Sequence, residues 1–251
     1  MNGAPMYREM TAGISTGSLA ILPGEAAKPT TGLTPYVHFD VCPIWLELAI
    51  RHLSDAQVAQ VARIEAWKHA DEDAKAGALQ WEFEASMQAI VAAAIAIDAL
   101  YAAVRPKIKL PQLLVQKWRE KHTPIYVQTS EVLRRALSLT PRAACALRQN
   151  LGEISRFRNL AIDSSGTTDA PVLHPELRVG VEWRFAYFRC DNALLIVKVT
   201  LRLILELLAS GKPQDAEVQA YVNALWSRVE PLQNSNAFGS HVRRDQRLSM
   251  P

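Results

Sequence analysis

Apolar residues recur at alternating four- and three-residue steps through Phe83, Met87, Ile90, Ala94, Ile97, Tyr101 and Val104, which predicts a core helix with one continuous apolar stripe, ended by Pro106. A second helix is expected over 124–137. A third opens at Thr140-Pro141, an N-cap residue followed by proline at the first helical position, where its missing N–H costs nothing. Its stripe runs Ala144, Leu147, Leu151, Ile154 and then Arg158, so a guanidinium is aimed where the period places a core or interface residue and needs a partner there. The fourth helix, about 181–210, is apolar nearly all round except for a strip through Asp191, Lys198, Arg202 and Glu206, and is expected to be the central, most buried element. A shorter helix over 213–229 carries Val218, Tyr221, Val222, Leu225 and Trp226 on one side.

Upstream the pattern is weaker. Residues 36–41 alternate as a short extended piece; one helix starts near Pro43, and Ser54 with Gln57 three residues on has the capping-box spacing of a second. These segments are expected to cover the bundle rather than form it. Gly, Thr, Ser and Pro without a period mark 1–35 as a flexible leader, and Arg243, Arg244 and Arg247 give the end of the chain a basic tail. The expected organisation is leader 1–35, accessory helices 43–77, helical bundle 78–210, C-terminal helix 213–230 and flexible basic tail 231–251. The fold class is all-α, an up-and-down four-helix bundle with additional N- and C-terminal helices.

Composition agrees with helix: 49% of the 251 residues are hydrophobic, 21% are charged and only 11 are glycine. Cys42, Cys145 and Cys190 are far apart and without close Cys or His companions, so they read as buried small apolar residues of a reducing cytoplasm. The start of the chain lacks a basic region leading into an apolar run, and the most apolar stretches are interrupted by Asp98 or by Lys198, Arg202 and Glu206. A cytoplasmic protein without membrane spans is the expectation. No Gly-rich phosphate loop, His-Glu-x-x-His or Gly-x-Ser-x-Gly occurs, so no cofactor or metal is expected, nor classical nucleotide, zinc or serine hydrolysis.

Net charge is only +3, yet the charges are segregated: 71–98 has a balance of −5 and 105–142 a balance of +7. The basic block lies beside Arg156-Phe157-Arg158-Asn159 and can attract phosphates, or can be a solvated face. Asp98, inside an apolar stretch, reads as a catalytic acid or as an arginine-paired residue at a helix edge. The six tryptophans, Trp81 and Trp183 among them, suit base stacking and packing equally.

The Glu82-Phe83-Glu84 opening of the first core helix, the Glu153-Ile154-Ser155-Arg156-Phe157-Arg158-Asn159 wording of the third and the His174-Pro175 loop before the fourth together resemble the HEPN family, the higher-eukaryote and prokaryote nucleotide-binding domains. The resemblance covers roughly 78–210. It implies a homodimer whose two third helices meet in a shared cleft, where active relatives cut RNA without metal, and it implies a bacterial stress or defence setting with a cognate partner protein. Carried over, the catalytic arginine is Arg158 and the polar residue after it Asn159, with Arg156 and Arg158 binding RNA. Arginine neutralises the scissile phosphate, and a near-neutral histidine moves the 2′-hydroxyl proton. Asp163 stands where the family's histidine would stand. An ionised aspartate donates no proton and repels phosphate, so it suits pairing with Arg158 or Arg156, or capping the end of the loop that follows. His174 is the substitute base if 164–173 folds back, or else a loop histidine bonded to backbone.

Three functions follow as expectations: an RNA-related protein with weak or lost endoribonuclease activity; a non-enzymatic dimeric scaffold; and a DNA-binding helix-turn-helix built on the Ser138-Leu139-Thr140 turn. The amphipathic stripe of Leu147, Leu151 and Ile154 suits a bundle better than the third.

Overall fold

The computed structural model describes residues 40–162 and 170–239 and, as backbone only, 11–13 and 36–38. The chain divides into two units, Met1–Asp40 and Val41–Pro251. In the first, β1 (Thr11–Gly13) pairs antiparallel with β2 (Tyr36–His38), Thr11 opposite His38 and Gly13 opposite Tyr36. The extended piece expected at 36–41 is therefore a strand at its start, and its partner comes from within the expected leader. The rest of that leader lies outside the described residues.

The second unit is all-α. It contains α1 (Cys42–Ala66), α2 (Glu72–Val104), α3 (Gln112–Glu120), α4 (Ile125–Ala136), α5 (Pro141–Ile162), α6 (Trp183–Tyr187), α7 (Cys190–Ser210) and α8 (Ala216–Val229). A short antiparallel pair, β3 (Val172–Leu173) with β4 (Gly180–Val181), precedes α6.

The N-terminal helices differ from expectation. Ser54 starts no second helix: its hydroxyl donates to the Ile50 carbonyl one turn back at 3.1 Å, the habit of serine inside a helix, so α1 runs unbroken through the capping-box spacing. Nor does α1 merely cover the bundle. Leu46, Ala49, Leu53, Ala56 and Ala59 are fully buried, and its main packing partner is α2. That helix starts at Glu72, ahead of the expected 78, because the Asp71 carboxylate accepts from the N–H groups of Asp73 and Ala74 at 3.0 and 3.1 Å.

The centre is α2 rather than the fourth predicted helix. Ala89, Ala92, Ala93, Ala94 and Ala96 are buried on several sides of it, and such small residues let α1, α4, α5 and α7 all approach. By length and composition α2 could cross a membrane; here those neighbours pack on it. α7 keeps Lys198, Arg202, Glu206 and Leu195 in solvent, so it is a wall of the core.

The helix expected over 181–210 is two. Phe188, fully buried and edge-on to Phe83 at 6.0 Å, leaves helical geometry after α6, and Arg189 is extended before α7 resumes. Thr140 does cap α5, accepting from the Ala143 N–H at 3.3 Å. After α8 the chain winds through two short 3-10 turns to Phe238, and Gln57 donates to the Ala237 carbonyl at 2.7 Å. The tail expected from 231 is thus folded onto α1 as far as 239; residues 240–251 lie outside the described residues.

Candidate functional site

Arg158 finds its partner on α2. Its Nη1 donates to the Asp98 carboxylate, which joins the last turns of α5 to the C-terminal half of α2, and its Nη2 reaches Asn159 at 3.4 Å. The Arg158 side chain is 20% exposed, and its Nε is buried without a hydrogen-bond partner among the described residues. Burial pushes the Asp98 carboxyl up, and Arg158 pulls it back down. The pair closes one side of a shallow cleft floored by Ile154 and Leu151 and edged by Tyr126, Thr129 and Ser155. With a volume of about 10 Å³ the cleft is far smaller than typical small-molecule sites, roughly 300–1,000 Å³, and has space for no more than a water-sized group against Arg158.

Of the other candidates from the sequence, Asn159 is exposed beside Arg158, and exposed Arg156 is bound to Glu153 at 2.9 Å. Asp163 lies outside the described residues. His174 is fully buried in the turn between β3 and β4. Its Nδ1 accepts the N–H groups of Glu176 and Leu177 at 3.3 and 3.2 Å, which places the ring proton on Nε2, an atom with no partner among the described residues. Burial, then the positive charge of Arg63, holds its pKa below the ordinary histidine value. The hydrogen bonds of His174 lead to Glu176, Leu177, Arg178 and Val179, whereas those of Arg158 lead to Asp98 and Asn159.

A second constellation surrounds His174, and sequence reading missed most of it. Arg63 of α1, 1% exposed, donates to Glu82 of α2 and, at 2.6 Å, to Glu176 of the β3–β4 turn. The second Glu82 oxygen accepts the Cys190 N–H at 3.0 Å, so one buried carboxylate binds α1 and also caps the N-terminus of α7. Arg189 bridges Glu176 at 3.1 Å and Asp191 at 3.2 Å, and Gln60 donates to Asp191 at 3.4 Å. Burial pushes Glu82 up against the opposing pull of the Cys190 N–H and Arg63; it also pushes Glu176 up, but there Arg63 and Arg189 prevail and hold it low. Burial likewise raises the Cys190 thiol to about 12, far from reactivity. The signal for this network was present: Arg63 continues the stripe of Leu46, Ala49, Leu53, Ala56 and Gln60, as Arg158 continues its own.

Chemically the first site can hold an anion if Asp98 yields the arginine, while the second is a clamp in which Arg63 and Arg189 are paired with Glu82, Glu176 and Asp191. Among the described residues no three His, Cys, Asp or Glu side chains gather as metal ligands. Comparison with protein-family descriptions, with curated proteins and with solved structures yields no match for this chain.

Proposed function

We propose that this chain is a HEPN-like, RNA-binding helical module, homodimeric and cytoplasmic, in which metal-independent cutting of RNA is weak or lost. The observation that carries the reading is the Arg158–Asp98 pair. A phosphate arriving at Arg158 has to compete with a carboxylate already bound to it, and the buried His174 spends its free nitrogen on two backbone N–H groups. Attraction to RNA persists while the proton carrier is withdrawn. The packing of α2 on α4, α5 and α7, and of α5 on α4 and α7, supports the four-helix arrangement expected from the sequence. Exposed Lys117, Arg119, Lys121, Arg142 and Arg148 on and beside α3 and α5 supply further positive charge. Leu195 of α7 and Ile162 at the end of α5, 59% and 70% exposed, favour a dimer through these helices. In a bacterial stress or defence system such a dimer would meet a cognate partner protein. The same Arg158–Asp98 pair favours the second reading, a non-enzymatic scaffold.

The test combines light scattering, fluorescence anisotropy with single-stranded RNA, and a cleavage assay in chelator. A dimer that binds RNA without cutting it is expected, with binding weakened several-fold by Arg158→Gln and tightened by Asp98→Asn, which frees the arginine. Strong cutting abolished by Arg158→Ala would make the chain an active ribonuclease. A monomer that ignores RNA would remove the RNA reading altogether, and a dimer that ignores it would leave the scaffold.

A further inference from the structure

Four aromatic rings, Trp183, Phe185, Tyr187 and Phe188, fall within six residues at α6. Three of them have work inside. Phe185 tilts onto Phe83 at 5.2 Å, Phe188 meets Phe83 edge-on at 6.0 Å, and Trp183 is buried. Tyr187 instead turns outward and is 40% exposed. Its backbone is tied down by Asn192, which donates to the Tyr187 carbonyl at 2.8 Å.

Around that ring the side chains form a row drawn from two elements. Tyr187 stands edge-on to Trp183 at 5.6 Å and tilted to Phe157 of α5 at 6.4 Å. The Arg156 guanidinium lies 4.9 Å from the Phe157 ring and the Arg184 guanidinium 4.8 Å from the Trp183 ring, so a cation closes each end. Packing of α6 and the residue after it on α2 accounts for Phe185 and Phe188. It leaves the exposed face of Tyr187 without a packing role.

We propose that Phe157 and Tyr187 form a stacking platform for an unpaired base of single-stranded RNA, with Arg156 and Arg184 holding the flanking phosphates. Every base has a π-face, so an aromatic platform binds without demanding a sequence, and arginines beside it neutralise the backbone. Glu153 and Glu182 now occupy those arginines in exposed or half-exposed pairs. Pairs of that kind contribute little, and a phosphate replaces a carboxylate on a guanidinium with better charge. The proposal deepens the RNA-binding reading but rests on residues other than Arg158, whose guanidinium goes to Asp98.

The experiment is anisotropy titration of a fluorescein-labelled single-stranded oligouridylate of about twelve nucleotides, long enough to cross one such site. Tyr187→Leu, which keeps apolar contact with Trp183 and Phe157 and removes the ring, should weaken binding roughly ten- to a hundredfold. Tyr187→Phe should bind within about twofold of the wild type, since the stacking face remains. Arg156→Gln and Arg184→Gln should each lower the salt dependence by about one phosphate contact. Circular dichroism must show all variants equally helical. Equal binding by Tyr187→Leu, or equal binding of the same sequence as a duplex whose bases are already stacked, overturns the platform and leaves the Arg158 reading standing. A loss with Tyr187→Leu but none with Arg158→Gln establishes the platform and removes Arg158 from binding, whereas a wild type that binds no RNA overturns both.

Discussion

Glu82 is the residue whose loss should be felt most. Its two oxygens serve Arg63 and the Cys190 N–H, both buried, so truncation leaves the guanidinium with Glu176 alone and orphans a helix-end donor at once. Removing one member of a buried pair typically costs about 3–5 kcal/mol. Glu82→Ala should therefore lower the unfolding free energy by that amount in urea, and Glu82→Gln by less, because the amide oxygen still accepts from Cys190. The exposed pair of Arg202 with Glu206, 2.7 Å apart, gives the contrast: Glu206→Ala should change stability by under about 0.5 kcal/mol. Similar losses in the two alanine variants would mean that the buried clamp is not what holds α1, α2 and α7 together. At this scale the sequence was half legible. It placed Arg158 on a buried stripe and offered Asp98 as an arginine-paired residue, yet the two stand sixty positions apart and nothing local joins them. The same rule applied to α1 would have flagged Arg63; with its helix read as a cover, its burial had no place in the pattern.

Among elements, legibility followed the strength of the period. The long stripes of α2 and α5 were readable from their period, and the Thr140-Pro141 start because that boundary is written in local chemistry; the start of α2 lies upstream of its stripe and was placed six residues late. The unbroken α1 was not, since Ser54 and Gln57 satisfy a capping pattern that only tertiary burial overrules; nor was the break before α7, which exists because Phe188 must reach Phe83. Two glycines make the distinction measurable. A Cβ on Gly77, in the exposed second turn of α2, would meet nothing within 4 Å, so Gly77→Ala should gain up to about 1 kcal/mol of helix propensity. A Cβ on Gly211, at the end of α7, would stand 2.6 Å from the Leu207 carbonyl oxygen and 3.1 Å from the Leu137 side chain, while Lys212 donates to the Leu137 carbonyl at 2.8 Å. There the backbone itself has to shift, so Gly211→Ala should lose about 1–3 kcal/mol and separate the ends of α4 and α7. Thermal melts with the two shifts in opposite directions are expected; a stabilised Gly211→Ala would mean that this junction is slack.

For the molecule as a whole, the clamp around His174 makes stability depend on pH, and the sign follows from the proton count. His174 is held below its unfolded value of 6.5, so as pH falls through that value the unfolded chain takes up a proton the folded one refuses, and the contribution present above it is lost by the time pH passes the lower folded value. Protonating Nδ1 in place would also forfeit the N–H groups of Glu176 and Leu177 and set a cation near Arg63 and Arg189, opposed by the Glu176 carboxylate. Glu131, pulled to about 2 by Arg134 and Arg135, loses its contribution only below about 4.5, and Glu176 is likewise held low. Glu82 and Asp98 act in the other direction, since their raised values favour the folded chain as pH falls. The histidine is isolated by His174→Asn, whose carboxamide oxygen stands where Nδ1 stood and does not titrate. Between pH 7 and 5 the melting temperature of the wild type should fall further than that of His174→Asn, with the β3–β4 turn and α6 opening first because Arg63, Glu176 and Arg189 fasten them. Proteolysis at pH 5 should then cut near 170–190 while α2 and α5 stay intact. Parallel pH profiles in the two proteins would show that His174 does not govern the clamp, and first cuts within α1 or α2 would show that the clamp is not where the molecule yields.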